Sequence, residues 1–189
     1  MTSLRNPGDS VPPLTVTAKL FYGIWEIPIT VAMTLFGLFI VFFYGSVMRL
    51  PGTLVGIGCA AGLLFDALID PYIGYRSDRF RSALGRRHPF MLAGAATMGM
   101  AFWLLLSPPQ HLETPALFLW LLVTIMVFRF ASALYRIPYL SLGADLVSDY
   151  HERTKIVGIR SVFGLAGTLA AATLSFALFF PVTQAGVDP

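Results

Sequence analysis

Residues 66–90 read DALIDPYIGYRSDRFRSALGRRHPF. The stretch opens with two carboxylates, Asp66 and Asp70, at the end of an apolar run, and then turns abruptly into arginines. What surrounds it decides the fold. The 189-residue chain is 56% hydrophobic and only 12% charged, half the roughly 25% charge of soluble globular domains. Its mean hydropathy is +0.73. Apolar runs of about twenty residues, the length that crosses a bilayer core, recur along it. They are continuously apolar, without the alternation of barrel strands. These features define an all-α polytopic membrane protein, with the lipid bilayer as its first partner.

Working outward, five spans are predicted at about 20–43, 53–75, 89–107, 115–139 and 156–180, each edge good to about 2–4 residues. Residues 1–19 are polar, contain three prolines and lack the apolar core of a cleaved signal peptide. They read as a disordered cytoplasmic tail. The tail and the second and fourth connections hold nine basic residues, against Arg49 alone on the other side. Positive loops stay inside, so the N-terminus is placed in the cytoplasm and residues 181–189 outside. The net charge of +3 resides largely in these short connections, which orients a membrane protein and does not point to nucleic acid. The single cysteine, Cys59, lies in an apolar run and supports neither a disulfide framework nor a zinc site.

Small residues punctuate the second and fifth spans. Gly58 with Gly62, and Gly167 with Ala171, are small-xxx-small pairs that let helix backbones approach closely in lipid. Glu26, Asp66, Asp70, Arg129 and Arg136 fall where lipid should be. Each charge at mid-bilayer costs at least ~2.5–3.5 kcal/mol, so such side chains face a bundle interior or a wet cavity. Asp66 and Asp70 share a helix face, and Pro71 cannot donate to the Ala67 carbonyl, which is left free beside them. Two readings stand side by side. One is a monovalent cation or proton site at Asp66 and Asp70. The other is a structural salt bridge to Arg129 or Arg136, which share a face of the fourth span. Glu26 and Arg160 read as snorkelling side chains near span ends.

The basic connection exceeds what topology requires, because Asp78 stands among arginines and Gly85 precedes an Arg-Arg pair. A carboxylate flanked by guanidiniums builds charge-assisted contacts between helix ends, a device that can hold one of two helix arrangements. The order D-P-x-x-G-x-x-S-D-R-x-R-S-x-x-G-R-R-x-P runs from Asp70 to Pro89 through Gly74, Ser77, Asp78, Arg79, Gly85, Arg86 and Arg87. It resembles the helix 2–3 connection of the major facilitator superfamily, and more narrowly the glycoside–pentoside–hexuronide:cation symporters, the melibiose permease group. A second match, IPYLSLGADLVSDYHER from Ile137 to Arg153, resembles that family's helix 4–5 connection. Lys19 to Gly23 resembles its approach to helix 1.

The resemblance implies a cation-coupled solute symporter, not an enzyme, carrying a sugar or related small molecule without a cofactor beyond a coupling Na+ or H+. Asp66 and Asp70 match its cation-coupling carboxylates, and Arg160 matches an arginine near its sugar pocket. Gly74, Asp78, Arg79, Gly85, Arg86 and Arg87, with Asp145, Asp149, Glu152 and Arg153, match its cytoplasmic latch. Thr30 and Arg136 depart, standing where the family carries sugar-binding aspartates. A guanidinium facing Asp66 and Asp70 can take the place of a cation, which bears on both coupling and cargo.

A transporter of this fold has two six-helix halves, and the sequence given stops after the fifth span. The expectation is an N-terminal part, inactive alone, completed by further helices in the same chain or, in a split transporter, in another. A non-sugar carrier of the same superfamily is a further alternative, as is a non-transporting membrane adaptor. The rival from another class is a membrane prenyltransferase-like enzyme, because Asp66/Asp70 and Asp145/Asp149 are paired aspartates of the kind that hold Mg2+-diphosphate.

Overall fold

The computed structural model describes residues 15–82, 85–109, 111–147 and 149–179. Most of the N-terminal tail and the whole 181–189 end lie outside the described residues. Six α-helices follow in order: α1 (Val16–Ile24), α2 (Glu26–Phe42), α3 (Gly52–Arg79), α4 (His88–Leu106), α5 (Thr114–Leu146) and α6 (Tyr150–Phe179). A π-helical turn, Phe43–Val47, ends α2. Among the described residues there is no strand. With α1, α2 and the π turn counted as one span, five helical segments among the described residues are long and apolar enough to cross a membrane.

The predicted first span divides in two. Pro28 has no N–H for the Ile24 carbonyl, and its ring crowds that turn, so the helix breaks at Trp25. It also starts earlier than expected. Thr15 caps α1 by accepting the Ala18 N–H at 3.3 Å, which places Val16–Lys19 in the helix and corrects the boundary of the tail. At the same end of the bundle, α3 runs on to Arg79 and α5 to Leu146, while α6 begins at Tyr150. Hydropathy marks the lipid-immersed part of a helix, whereas backbone hydrogen bonding carries the helix past it into polar surroundings.

Helix α5 is the centre. It packs along α3 and α4, while α6 packs along α1 and α2, and the two sets meet more sparsely. Lipid tails supply no hydrophobic drive between helices, so close packing of small residues does the work. A Cβ on Gly94 of α4 would sit 2.6 Å from the Tyr135 backbone nitrogen of α5, so these two backbones touch. Gly58 and Gly62 face Leu121 and Ile125 of α5, and Gly164 and Gly167 face Thr30 of α2. Between them Phe36, Ile40, Tyr44, Leu121, Ile125 and Phe128 close the core, with the Phe36 and Phe128 rings stacked 4.7 Å apart. The outer faces are apolar and open, Leu64 being 71% and Leu68 77% exposed, as a lipid-facing surface requires.

Candidate functional site

The charges inside the spans are arranged in pairs. Asp66 Oδ2 of α3 accepts from Arg129 Nη1 of α5 at 2.7 Å, and Asp70 Oδ2 accepts from Arg136 Nη2 at 2.7 Å. Seven residues is nearly two helical turns, so both guanidiniums leave α5 on the face that meets α3. The Arg129 guanidinium also lies over the Phe36 ring at 5.1 Å. A third pair sits between the other helices, with Glu26 Oε2 of α2 lying 3.6 Å from Arg160 Nε of α6. Glu26 and Arg160 therefore turn toward each other inside the bundle instead of snorkelling outward.

The salt-bridge reading of Asp66 and Asp70 thus has geometry behind it. Another cation placed ~4 Å from either guanidinium would meet a repulsion on the order of 4 kcal/mol at an effective dielectric near 20. Among the described residues, no group of three or more His, Cys, Asp or Glu side chains is placed to hold a metal ion. Each of the four aspartates of the prenyltransferase rival has its own separate local role. Asp66 and Asp70 hold arginines of α5, Asp145 contacts Arg86 and Arg87, and Asp149 caps α6.

Thr30 lies at the α2–α6 contact, donating to the Glu26 and Ile27 carbonyls of its own helix at 3.0 Å. Arg160 lines a cleft of about 200 Å³ with Tyr22, Leu140, Gly143, Arg153 and Ile156. Tyr22, which lines it, also takes part in a set of tyrosine contacts that join the two helix sets. The Tyr22 hydroxyl donates to the Tyr139 carbonyl at 3.1 Å, and the Tyr139 hydroxyl donates to the Tyr22 carbonyl at 2.9 Å. Tyr135 donates to the Trp25 carbonyl at 2.8 Å, at the break between α1 and α2.

The basic connections converge at one end of the bundle. Arg87, its side chain 9% exposed, sets Nη2 3.0 Å from Asp78 Oδ1 and Nη1 2.7 Å from Asp145 Oδ2. It therefore ties the end of α3 and the start of α4 to the end of α5. Arg86 reaches Asp145 at 3.5 Å. Gly85 has φ +92°, a left-handed conformation that glycine adopts without a Cβ clash. Its N–H donates to the Ser82 carbonyl at 3.0 Å. Gly74 packs on Ile137. Arg79 folds back on its own helix, its guanidinium 4.0 Å from the Tyr75 ring centroid. Asp149 accepts the Glu152 N–H at 3.0 Å as the N-cap of α6. Glu152 instead pairs with Lys19 and, at 2.9 Å, with Lys155, binding α1 to α6. Arg153 is exposed and has no ion pair among the described residues.

Sequence reasoning left out the tyrosine clasp, the Glu26–Arg160 pair and the Lys19–Glu152 pair. The first had a signal, since Tyr22 and Tyr139 lie inside two of the three stretches that carry the family resemblance. The pairs had none, because their partners are more than a hundred residues apart.

A family model described as MFS/sugar transport protein matches residues 21–188, and the chain belongs to that family of membrane transporters. It is 31% identical to an uncharacterized symporter, sll1374, of Synechocystis, over 87% of this chain and 31% of that protein. It is 27% identical to the inner membrane symporter YicJ of Escherichia coli, over 87% of this chain and 36% of the relative. A third relative is the sphingosine-1-phosphate transporter MFSD2B of Mus musculus, at 26% over 85% of this chain and 32% of that protein. The chain therefore spans about a third of the length of these relatives. It is a multi-pass membrane protein of the symporter-containing branch of the major facilitator superfamily.

Proposed function

We propose that this chain is the N-terminal part of a secondary active transporter, a cation-coupled symporter of a sugar or related small solute. In this reading it sits in the cell inner membrane with its N-terminus in the cytoplasm. Its cavity is completed by further helices in the same or another chain. Asp66 and Asp70 serve as coupling carboxylates under an imposed ion gradient, Arg160 and Thr30 border the solute path, and the Arg87 cluster acts as the cytoplasmic latch.

The observation that carries the reading is the row of ion pairs inside the spans. Structural helix packing in lipid does not need six charges within apolar helical stretches, and such charges mark ion and solute pathways. Pairs that break and re-form between helices are also what a two-state transport cycle uses. The test is uptake into proteoliposomes containing the protein at its full natural length, with labelled mono- and disaccharides under an imposed cation gradient. Accumulation above equilibrium supports the reading. A flat response to every solute and gradient counts against it.

A non-sugar cargo is the second reading. Thr30 and Arg136 stand where carboxylates would hydrogen-bond sugar hydroxyls, and Arg136 is engaged by Asp70. One relative is named for a lipid phosphate. Extending the same uptake panel to amphipathic anions separates the two.

A further inference from the structure

Resting on the transporter reading above, we infer that Arg129 and Arg136 are the resident counter-cations of the coupling site, so that Asp66 and Asp70 bind no alkali metal ion. Within the apolar runs at 20–43, 53–75, 115–139 and 156–180 the charge inventory closes without one. Glu26, Asp66 and Asp70 are matched one for one by Arg160, Arg129 and Arg136. A hard cation collects several oxygen ligands, whereas here each aspartate already gives one oxygen to a guanidinium at 2.7 Å. Asp70 Oδ1 is enclosed and has no hydrogen-bond partner, but one oxygen is not a coordination shell. The neighbouring atoms are of the wrong kind, because Arg129 Nε and Arg136 Nε are enclosed donors.

Arg136 is the specificity-determining member. It is the more exposed of the two, 40% against 15% for Arg129, and it is the partner of the carboxylate nearest the basic end. Removing it uncovers Asp70 while the Asp66–Arg129 pair keeps α3 and α5 together. The site is a cation site in which the chain supplies the cation, and deleting that cation creates a vacancy for sodium.

Thermal unfolding of the protein at its full natural length, purified in detergent, tests this in sodium chloride and in choline chloride at equal ionic strength. The wild type is expected to unfold at the same temperature in both, within about 1 °C. Arg136→Ala is expected to unfold earlier in choline and to recover in sodium by about 2–3 °C at a hundred times the dissociation constant. Arg136→Asn, which offers Asp70 an amide donor and the site an amide oxygen, covers the case in which the alanine variant does not fold, and it too is expected to respond to sodium. A selective sodium shift in the wild type overturns the inference, and so does indifference to sodium in Arg136→Asn. Neither outcome touches the transporter reading, which stands or falls on solute flux.

Discussion

Tyr22 and Tyr139 exchange hydrogen bonds, each hydroxyl donating to the other's backbone carbonyl, with the rings stacked 4.7 Å apart. This clasp is a polar join between α1 and α5, and so between the two helix sets. Each bond is worth about 0.5–1.5 kcal/mol net, more where a buried partner is left unpaired. Tyr139→Phe keeps the stack and is expected to lower the unfolding midpoint by about 2–4 °C. Tyr139→Leu removes the stack as well and should cost more. A Cβ at Gly143 would collide with the Tyr22 hydroxyl, so Gly143→Ala should match or exceed Tyr22→Phe. Equal midpoints for wild type and Tyr139→Phe would remove these bonds from the account.

The Arg87 cluster should show a lopsided response. Asp78 and Asp145 are each half-exposed while the guanidinium between them is buried. Losing one carboxylate leaves Arg87 a partner and should cost under about 1 kcal/mol, as exposed pairs do. Losing both strands a buried charge, and the double variant Asp78→Asn/Asp145→Asn should cost clearly more than the sum of the singles. A double-mutant cycle on thermal midpoints checks this, and strict additivity would argue that Arg87 is held by neither.

Two glycine positions should behave oppositely. Gly94→Ala pushes a methyl into the α5 backbone and should destabilise by about 1–3 kcal/mol, as overpacking does. Gly99 lies on the same helix with no atom within 4 Å of an added Cβ, and Gly99→Ala should be neutral or stabilising by up to about 1 kcal/mol. Chemical or thermal unfolding of both variants distinguishes close backbone packing from a general intolerance of α4 to substitution.

The Asp66–Arg129 pair is the deeper of the two α3–α5 bridges. Arg129→Met leaves Asp66 without its counter-charge and should cost about 3–5 kcal/mol. Adding Asp66→Asn should recover most of that loss, because the unpaired charge goes with it. A double variant no more stable than Arg129→Met alone would show that packing against Phe36, not charge, is what Arg129 provides.

Part of this arrangement is legible in the sequence. Continuous apolar runs predict the five spans, and the spacing of Arg129 and Arg136 puts both on one face of the fourth span. Pro28 is the local sign of the break at Trp25, because it leaves the Ile24 carbonyl without a donor. The pairing itself was not readable. Whether Asp70 meets Arg136, or Glu26 meets Arg160, depends on the rotation and depth of helices far apart in sequence, and no local pattern encodes that. The Glu152 side chain shows the same limit. Its i,i+3 contact with Lys155 is local, but its partner Lys19 is set by how α1 lies on α6.

The most direct measurement is gradient-driven accumulation by Asp70→Asn in proteoliposomes, using the solute that the wild type accumulates. The variant removes the charge that Arg136 neutralises and that a coupling proton would neutralise in its place. The account expects solute exchange across the membrane to persist while accumulation under an imposed proton gradient falls to the equilibrium level. Accumulation as high as in the wild type would contradict it, and would leave Asp70 as a structural partner of Arg136 with no part in coupling.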